Sequence, residues 1–555
     1  METEDNRDQV LEKRTEKIKN WFKDPYNKGF FFIMVFAIII RIFYFNLTQF
    51  QPVWWDEAEY MNIARAWAFG QEYWFDPVRQ ILFAWITSLF LRINNSEFLP
   101  RALLTIFSIA SVSGMYYLGK EIYNKKIGLI ASFLMSIFYL NLFFTYRILS
   151  DIPSLVFFII PAIFFYRYFK TNSHKALYIA SITIGIGTLF KLTTAALLFV
   201  VLIYLLTTEK LKIFKKKEIW IAGLIFLLVL SPYLLWGYME YGEFVIMSAQ
   251  NTILESTPEP LTVTAPRVLM NYIYLFPSYL FGVNYNPANG LWWYFSMVII
   301  FASLAYLIYK PFLGFDILLK KKNKQLRRDY YLALLFLVPL ILVSILITHN
   351  ENRYILNSFP ALFILTAVLI NKGYYYIKNK KSKVFAILFL VIILGSFAYV
   401  QHKQGEELIK GKLYSYAQIK DAGLWIRDNS NPSDVVFSTS AMQTRYYSER
   451  DAFDIPATRP ELESLILEKN PRYYMVSAFE RSAEPDQWLY AYPNEKQMNP
   501  VHIIFADVEQ TQPFVIVYEF SNENSQTMEN LIQDNLLEDL NDPAQVDNSS
   551  EIIEA

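Results

Sequence analysis

The chain has 555 residues, 54% of them apolar and 17% aromatic, while charged residues make up 18% and cancel to a net charge of zero. The absence of cysteine excludes disulfides, thiolate metal sites and a cysteine nucleophile. Apolar runs of about twenty residues recur over roughly the first 400 positions, which excludes an ordinary soluble protein and indicates a polytopic α-helical membrane protein.

Residues 1–28 form a basic N-terminus with Lys17, Lys19, Lys23 and Lys28 and no apolar core. No cleavable signal is expected there, and the first span serves as the insertion signal. A transmembrane segment of about eleven spans is predicted over 29–400. Its spans fall at roughly 29–47, 98–118, 127–145, 152–170, 175–190, 192–208, 219–237, 290–309, 330–348, 355–372 and 383–400. With this division every second gap is basic: Lys120–Lys126, Arg167–Lys175, Lys210–Lys217, Lys310–Arg328 and Lys372–Lys383. The excess of Lys and Arg places these gaps with the N-terminus on the cytoplasmic side. Arg41 lies inside the first span and takes no role in this scheme.

The outer loop 48–97 is expected to hold interfacial helices. Val78–Ile93 is apolar but only about sixteen residues long and contains Arg79 and Arg92, so it reads as a helix lying on the outer face. Gly237–Asn289 forms a second long outer loop, with an interfacial helix expected near Leu269–Phe281. Residues 401–522 read as a small α/β domain. Helical periodicity marks Tyr416–Asp428, and Val435–Ser438, Tyr473–Val476 and Phe514–Tyr518 have the continuous apolar character of buried strands. An odd number of spans puts this domain outside the cell membrane. The tail 523–555 has no basic or aromatic residue and is expected to be disordered.

Five polar features then share the outer side: Asp56-Glu57, Arg147 with Asp151, Lys191, Arg267 and Arg353. A carboxylate at a membrane face suits general-base work or a hard divalent cation. Asp56 and Glu57 are neighbours, so on a helix they point about 100° apart and do different jobs. Asp56, Tyr60, Ile63 and Trp67 share one face of a predicted helix Asp56–Phe69 on the membrane surface. A helix cap with solvated acids accounts for the same residues. Arg147 and Asp151, four apart, fit one helical face as an ion pair, with a purely structural pair as the alternative. Arg79, Arg147, Lys191, Arg267, Arg353, Tyr354 and Tyr60 are candidates for holding phosphate or sugar, whereas cations at span ends also snorkel to headgroups. The four histidines make no metal triad; His349 lies near Glu351 and Arg353. No glycine-rich phosphate loop is present, and no nucleic-acid partner is expected.

Asp56-Glu57-Ala58-Glu59-Tyr60, followed by Ala64-Arg65-Ala66 and Gly70, resembles the first outer loop of the GT-C glycosyltransferases, in the branch of protein O-mannosyltransferases and aminoarabinose transferases. Phe98-Leu99-Pro100-Arg101-Ala102, Arg147–Pro153, Gly187–Lys191, Asn352–Leu356 with Pro360, Ala422–Arg427 and Tyr446–Arg450 extend the resemblance in order over about 25–520. The sequence departs from the pattern at Asp76-Pro77-Val78-Arg79, where many relatives carry Lys-Pro-Pro-Leu.

The resemblance implies a sugar donor carried on a polyprenyl phosphate in the bilayer and an acceptor hydroxyl on a protein, glycolipid or polysaccharide. It implies Asp56 as base or metal ligand, Asp151 as the second-loop acid, and an inverting displacement. A divalent cation, Mg or Mn, held by Asp56 and Asp151 stays open as a cofactor. A transporter of lipid-linked sugars and a non-catalytic scaffold are the alternatives.

Overall fold

A computed structural model describes residues 15–17, 19–71, 73, 79–242, 260–283, 290–313, 324–347, 350–478, 488–507 and 509–520. The tail from 521 and His349 lie outside the described residues. The chain forms two compact units, Met1–Phe50 with Ile63–Leu413, and Gln51–Asn62 with Tyr414–Ala555.

The first unit is helical. Its helices begin with α1 (Pro25–Thr48), and α2 (Trp55–Phe69) links the two units. There follow α3 (Ile81–Leu91), α4 (Phe98–Ile122), α5 (Lys125–Ile137), α6 (Tyr139–Thr145), α7 (Asp151–Thr171), α8 (His174–Phe190), α9 (Ala196–Glu209) and α10 (Lys217–Tyr241). The series ends with α11 (Leu261–Phe281), α12 (Gly290–Leu313), α13 (Lys324–Leu346), α14 (Phe359–Lys380) and α15 (Lys383–Gly411). Among the described residues, eight helical stretches are long and apolar enough to cross a membrane, and the α5–α6 pair, bent by 54°, makes a ninth when taken as one span. Sequence predicts about eleven; the two further predicted spans correspond to α8, an apolar helix of 17 residues, and α12, a helix of 24 residues. The protein is a polytopic helical membrane protein with a small C-terminal sheet unit.

Local sequence sets many helix ends. Asp24 accepts from the Tyr26 N–H with Pro25 at the first turn, Asn124 accepts from the N–H groups of Lys126 and Ile127, and Ser382 accepts from Phe385. Small residues set the packing: a Cβ on Gly119 would sit 2.8 Å from the Cα of Gly128, so α4 and α5 meet backbone to backbone. Helix α3 has 11 residues, about 16 Å of rise, too short to cross.

The bend between α5 and α6 is held by Arg41 from α1, a fully buried guanidinium. It donates to Ser108 Oγ at 2.8 Å, to Asn141 Oδ1 at 2.7 Å and to the carbonyls of Ser136 and Ala37 at 3.0 and 3.3 Å. Ser136 lies in the last turn before extended Phe138 interrupts the helix, so its carbonyl lacks an intrahelical partner and needs this donor. Arg101, also fully buried, ties the next turn by donating to the carbonyls of Thr48 and Tyr146 at 3.1 Å each. Together they fix the chain that leads from the bend to Asp151.

Helix α15 runs about ten residues past the predicted end of the last span, so a boundary at 401 falls inside a helix. Buried Gln401 holds it there, accepting from the Tyr139 N–H and donating to the Tyr279 carbonyl.

In the second unit, α16 (Ala417–Asn429), β1 (Val435–Ser438), α17 (Ala441–Ser448), β2 (Asp451–Asp454), α18 (Arg459–Lys469), β3 (Tyr473–Ser477), α19 (Trp488–Glu495), β4 (Asn499–Phe505) and β5 (Pro513–Glu519) build one sheet of order β2-β1-β3-β5-β4. The β2, β1 and β3 strands are parallel; β5 pairs antiparallel with β3 and β4. Alternate residues feed opposite cores: Phe437, Tyr474 and Val476 pack with α18 and α19, and Val436, Tyr473 and Met475 pack with α16. Burial on both faces is why these strands read as unbroken apolar runs.

Candidate active site

In the helical unit, three breaks in helical structure come together. They are the start of α7 at Asp151, the turn between α8 and α9 at Lys191, and the irregular segment 350–358 before α14. The Lys191 ammonium donates to Asp151 Oδ1 at 2.5 Å, with side chains only 16% and 3% exposed. Lys191 Nζ stands over the Tyr354 ring at 5.0 Å, and the Arg353 guanidinium over the same ring at 5.2 Å. Arg353 forks onto Glu351, with Nε 2.5 Å from Oε2 and NH2 3.1 Å from Oε1, and the Tyr354 hydroxyl also donates to Glu351. Two cations, two carboxylates and one aromatic ring thus form a single cluster.

Each part is placed by local structure. Asp151 is the first residue of α7, where the helix N-terminus favours a carboxylate. Lys191 ends α8 with an extended backbone, its N–H still bonded to Gly187 O at 2.9 Å. Gly187 permits this: a Cβ there would come within 2.6 Å of Thr194 and 2.8 Å of Phe157. Ser154 and Thr194 share a hydrogen bond of 2.8 Å, and Asn357 donates to Ser154 at 3.4 Å. Segment 350–352 is pinned by α11, through Asn350 donating to Val268 O, the Tyr272 hydroxyl to Glu351 O, and the Tyr279 hydroxyl to Asn352 at 2.7 Å. Burial pulls the pKa of the Lys191 ammonium down; Asp151 opposes the shift and Arg353 adds to it.

Asp151 pairs with Lys191 and not with Arg147, correcting the helical-pair expectation. The chain leaves helix at Tyr146 and re-enters it at Asp151, so a spacing of four does not align the two side chains. Arg147 is buried, donates to the Lys412 carbonyl at 3.0 Å and lies over the Phe143 ring. Arg267 is exposed on α11 beside Val268, and Arg79 is half-buried just before α3. Glu351, Ser154, Thr194 and Asn357 join the cluster without having been singled out by motif; their signal was position beside Lys191, Asp151 and Arg353.

Asp56, Glu57 and Tyr60 open α2 in the second unit. The predicted surface helix Asp56–Phe69 is instead buried at every position from Glu57 to Ala66. Its polar face is used internally: the Trp54 N–H donates to Glu57 at 2.8 Å, and Asn62 donates to Met442 O at 3.0 Å. Glu57 is 0% exposed and acts as the return half of a helix cap, whereas Asp56 keeps partial exposure. The Tyr447 hydroxyl accepts the Val53 N–H at 2.8 Å, fixing this segment to the sheet unit. Arg450, in the same motif as Tyr447, donates to the carbonyls of Arg427 and Ser430 and closes α16.

Asp151 fits a divalent cation poorly. Such ions take about six oxygen ligands, and this carboxylate is already salt-bridged to an ammonium. Among the described residues no group of three His, Asp or Glu converges.

Residues 78–236 match the family described as dolichyl-phosphate-mannose-protein mannosyltransferase. No curated protein matches the chain in sequence. Among solved structures, ArnT from Cupriavidus metallidurans bound to undecaprenyl phosphate superposes with a TM-score of 0.59 at 12% identity, covering 88% of this chain and 98% of that one. The fold is that of the GT-C glycosyltransferases. The Archaeoglobus fulgidus oligosaccharyltransferase in its apo form gives 0.54 at 14% identity, over 82% of this chain and 70% of that one. The same enzyme tethered with an acceptor peptide containing the NVT sequon gives 0.50 at 15% identity, over 91% and 75%. The family match runs from before α3 into α10 and so includes Asp151 and Lys191, while Asp56 and Arg353 lie outside it.

Proposed function

We propose that the chain transfers a sugar from a polyprenyl-phosphate donor to an acceptor hydroxyl on the extracytoplasmic side of the cell membrane. The observation that carries the reading is the Asp151–Lys191–Arg353 cluster at the helix breaks. An ammonium has three donors, and Lys191 spends one on Asp151, which leaves capacity for phosphate oxygens. The family match over 78–236 and the fold shared with ArnT, solved bound to undecaprenyl phosphate, support the same donor class.

In the proposed reaction the acceptor hydroxyl gives its proton to a carboxylate base and its oxygen attacks the anomeric carbon. The bond from that carbon to the phosphate oxygen breaks, its electron pair leaves with the lipid phosphate, and the centre inverts. Charge grows on the departing phosphate, where Lys191 and Arg353 would stabilise it. Tyr354 holds both cations in place. Asp56 is proposed as the base because it is the partly exposed acid of the first-loop group, Glu57 being committed to the helix cap. Protein, glycolipid and polysaccharide hydroxyls are the acceptor classes to be compared.

The test uses full-length protein in liposomes with radiolabelled polyprenyl-phosphate sugars extracted from native membranes. Release of polyprenyl phosphate together with labelled acceptor supports transfer. Movement of intact donor across the bilayer without cleavage rejects it in favour of a transporter. Full activity of a folded Asp56→Asn protein removes Asp56 as base.

A further inference from the structure

A polar cavity lies along α14, on the C-terminal side of the segment 350–358 that joins the Asp151 cluster. It has a volume of about 150 Å³ and is lined by Tyr123, Gln325, Arg328, Asp329, Asn371 and Lys372, with Leu365 and Val368 forming its apolar wall. Along α14, Lys372 stands about 20 Å beyond Phe359, the residue that follows the segment 350–358 of the Asp151 cluster. Tyr123, Arg328 and Lys372, which line the cavity, come from three basic stretches that charge counting assigns to one side of the membrane.

Its walls are organised. The Arg328 guanidinium lies flat on the Tyr123 ring at 3.9 Å, its Nε donates to Asp329 at 3.1 Å, and the Tyr123 hydroxyl donates to the same carboxylate at 2.7 Å. Asp329 is thereby satisfied and nearly buried, and Arg328 is held rigid with donors remaining on its fork. Among the described lining residues Arg328 and Lys372 are cationic and Asp329 is anionic, and an apolar wall adjoins them. A rigid cation, a second cation, an amide and a greasy flank together match a phosphodiester carrying acyl chains.

We propose that this cavity binds the headgroup phosphate of an anionic phospholipid from the leaflet opposite the transfer site. The lipid would lock the α4–α5 turn to α13 and α14 without taking part in chemistry.

Native mass spectrometry of the full-length protein in detergent, titrated with dioleoylphosphatidylglycerol or dioleoylphosphatidylcholine, tests this. The phosphatidylglycerol complex should be about five-fold tighter than the phosphatidylcholine complex. Lys372→Gln should reduce that preference several-fold and Asn371→Glu should abolish it; neither change breaks the Tyr123–Arg328–Asp329 brace. Asp151→Asn should leave it unchanged. Equal binding of the two lipids, or unchanged phosphatidylglycerol binding in both cavity variants, overturns the proposal. Complete displacement by millimolar inorganic phosphate overturns it too, assigning the cavity to a free anion.

Discussion

Two kinds of buried cation hold the helical unit together, and they differ in what they touch. Arg41 and Arg101 sit in helix interiors and donate to hydroxyl, amide and carbonyl oxygens. Lys191 and Arg353 sit at helix breaks and face carboxylates across an aromatic ring. A guanidinium spread over several neutral acceptors on three helices is a rivet, because removing it leaves a buried carbonyl such as that of Ser136 without this donor. An ammonium with a single acid partner and two further donors is a place where a ligand's oxygens can enter.

The largest effect that would break this contrast is expected at Arg41. Arg41→Ala strands the Ser136 carbonyl in the interior, at about 1–3 kcal/mol, and takes one donor from the Ser108–Asn141 pair. The protein should then fail to extract as a monodisperse species, while Arg41→Lys should recover part of the yield. Asp151→Asn should leave the yield intact and lower sugar transfer about 10–150-fold, the worth of a hydrogen bond to a charged group. Equal loss of yield in both variants would erase the distinction between rivet and site.

Gly187→Ala sharpens it, because it pushes α8 away from Thr194 and Phe157 without touching Arg41. Overpacking of about 1–3 kcal/mol should appear as a lowered unfolding temperature and weaker polyprenyl-phosphate binding. A smaller effect concerns pH. Burial lowers the pKa of Lys191, so its cation exists below that lowered value and is lost at a pH where an ordinary lysine stays charged. Transfer should decline on the alkaline side, and Lys191→Arg should move that decline upward.

The smallest effect lies in the sheet unit, where His502 stacks on Trp425 at 4.8 Å and burial lowers its pKa. Folding then disfavours its protonation. The contribution is complete above the unfolded value of about 6.5 and is lost as pH falls from there toward the folded value. Hydrogen exchange in 499–505, compared with His502→Gln at each pH, should quicken slightly over that window.

The two units were legible to different degrees. Strands β1, β3 and β5 showed in the sequence because both faces are buried and the runs are continuously apolar. The edge strands β2 and β4 were missed: Asp451-Ala452-Phe453-Asp454 and Asn499-Pro500-Val501-His502 have polar, half-exposed residues and no such run. In the helical unit the long helices were visible from hydropathy, and the residues Asp151, Lys191 and Arg353 from charge at span ends. Their pairing was not, since the break at Tyr146 redirects Asp151 from Arg147 toward Lys191.

Sequence alone determined the solvent of this protein. Long apolar runs, basic gaps and caps such as Asn124 and Ser382 dictate helices in a bilayer, because hydropathy and backbone hydrogen bonding act within short stretches of chain. Only the tertiary structure decided which charges became rivets and which became a site. Burial and partner choice depend on residues such as Arg41 and Asn141, or Asp151 and Lys191, that stand far apart along the chain and meet only when the helices pack.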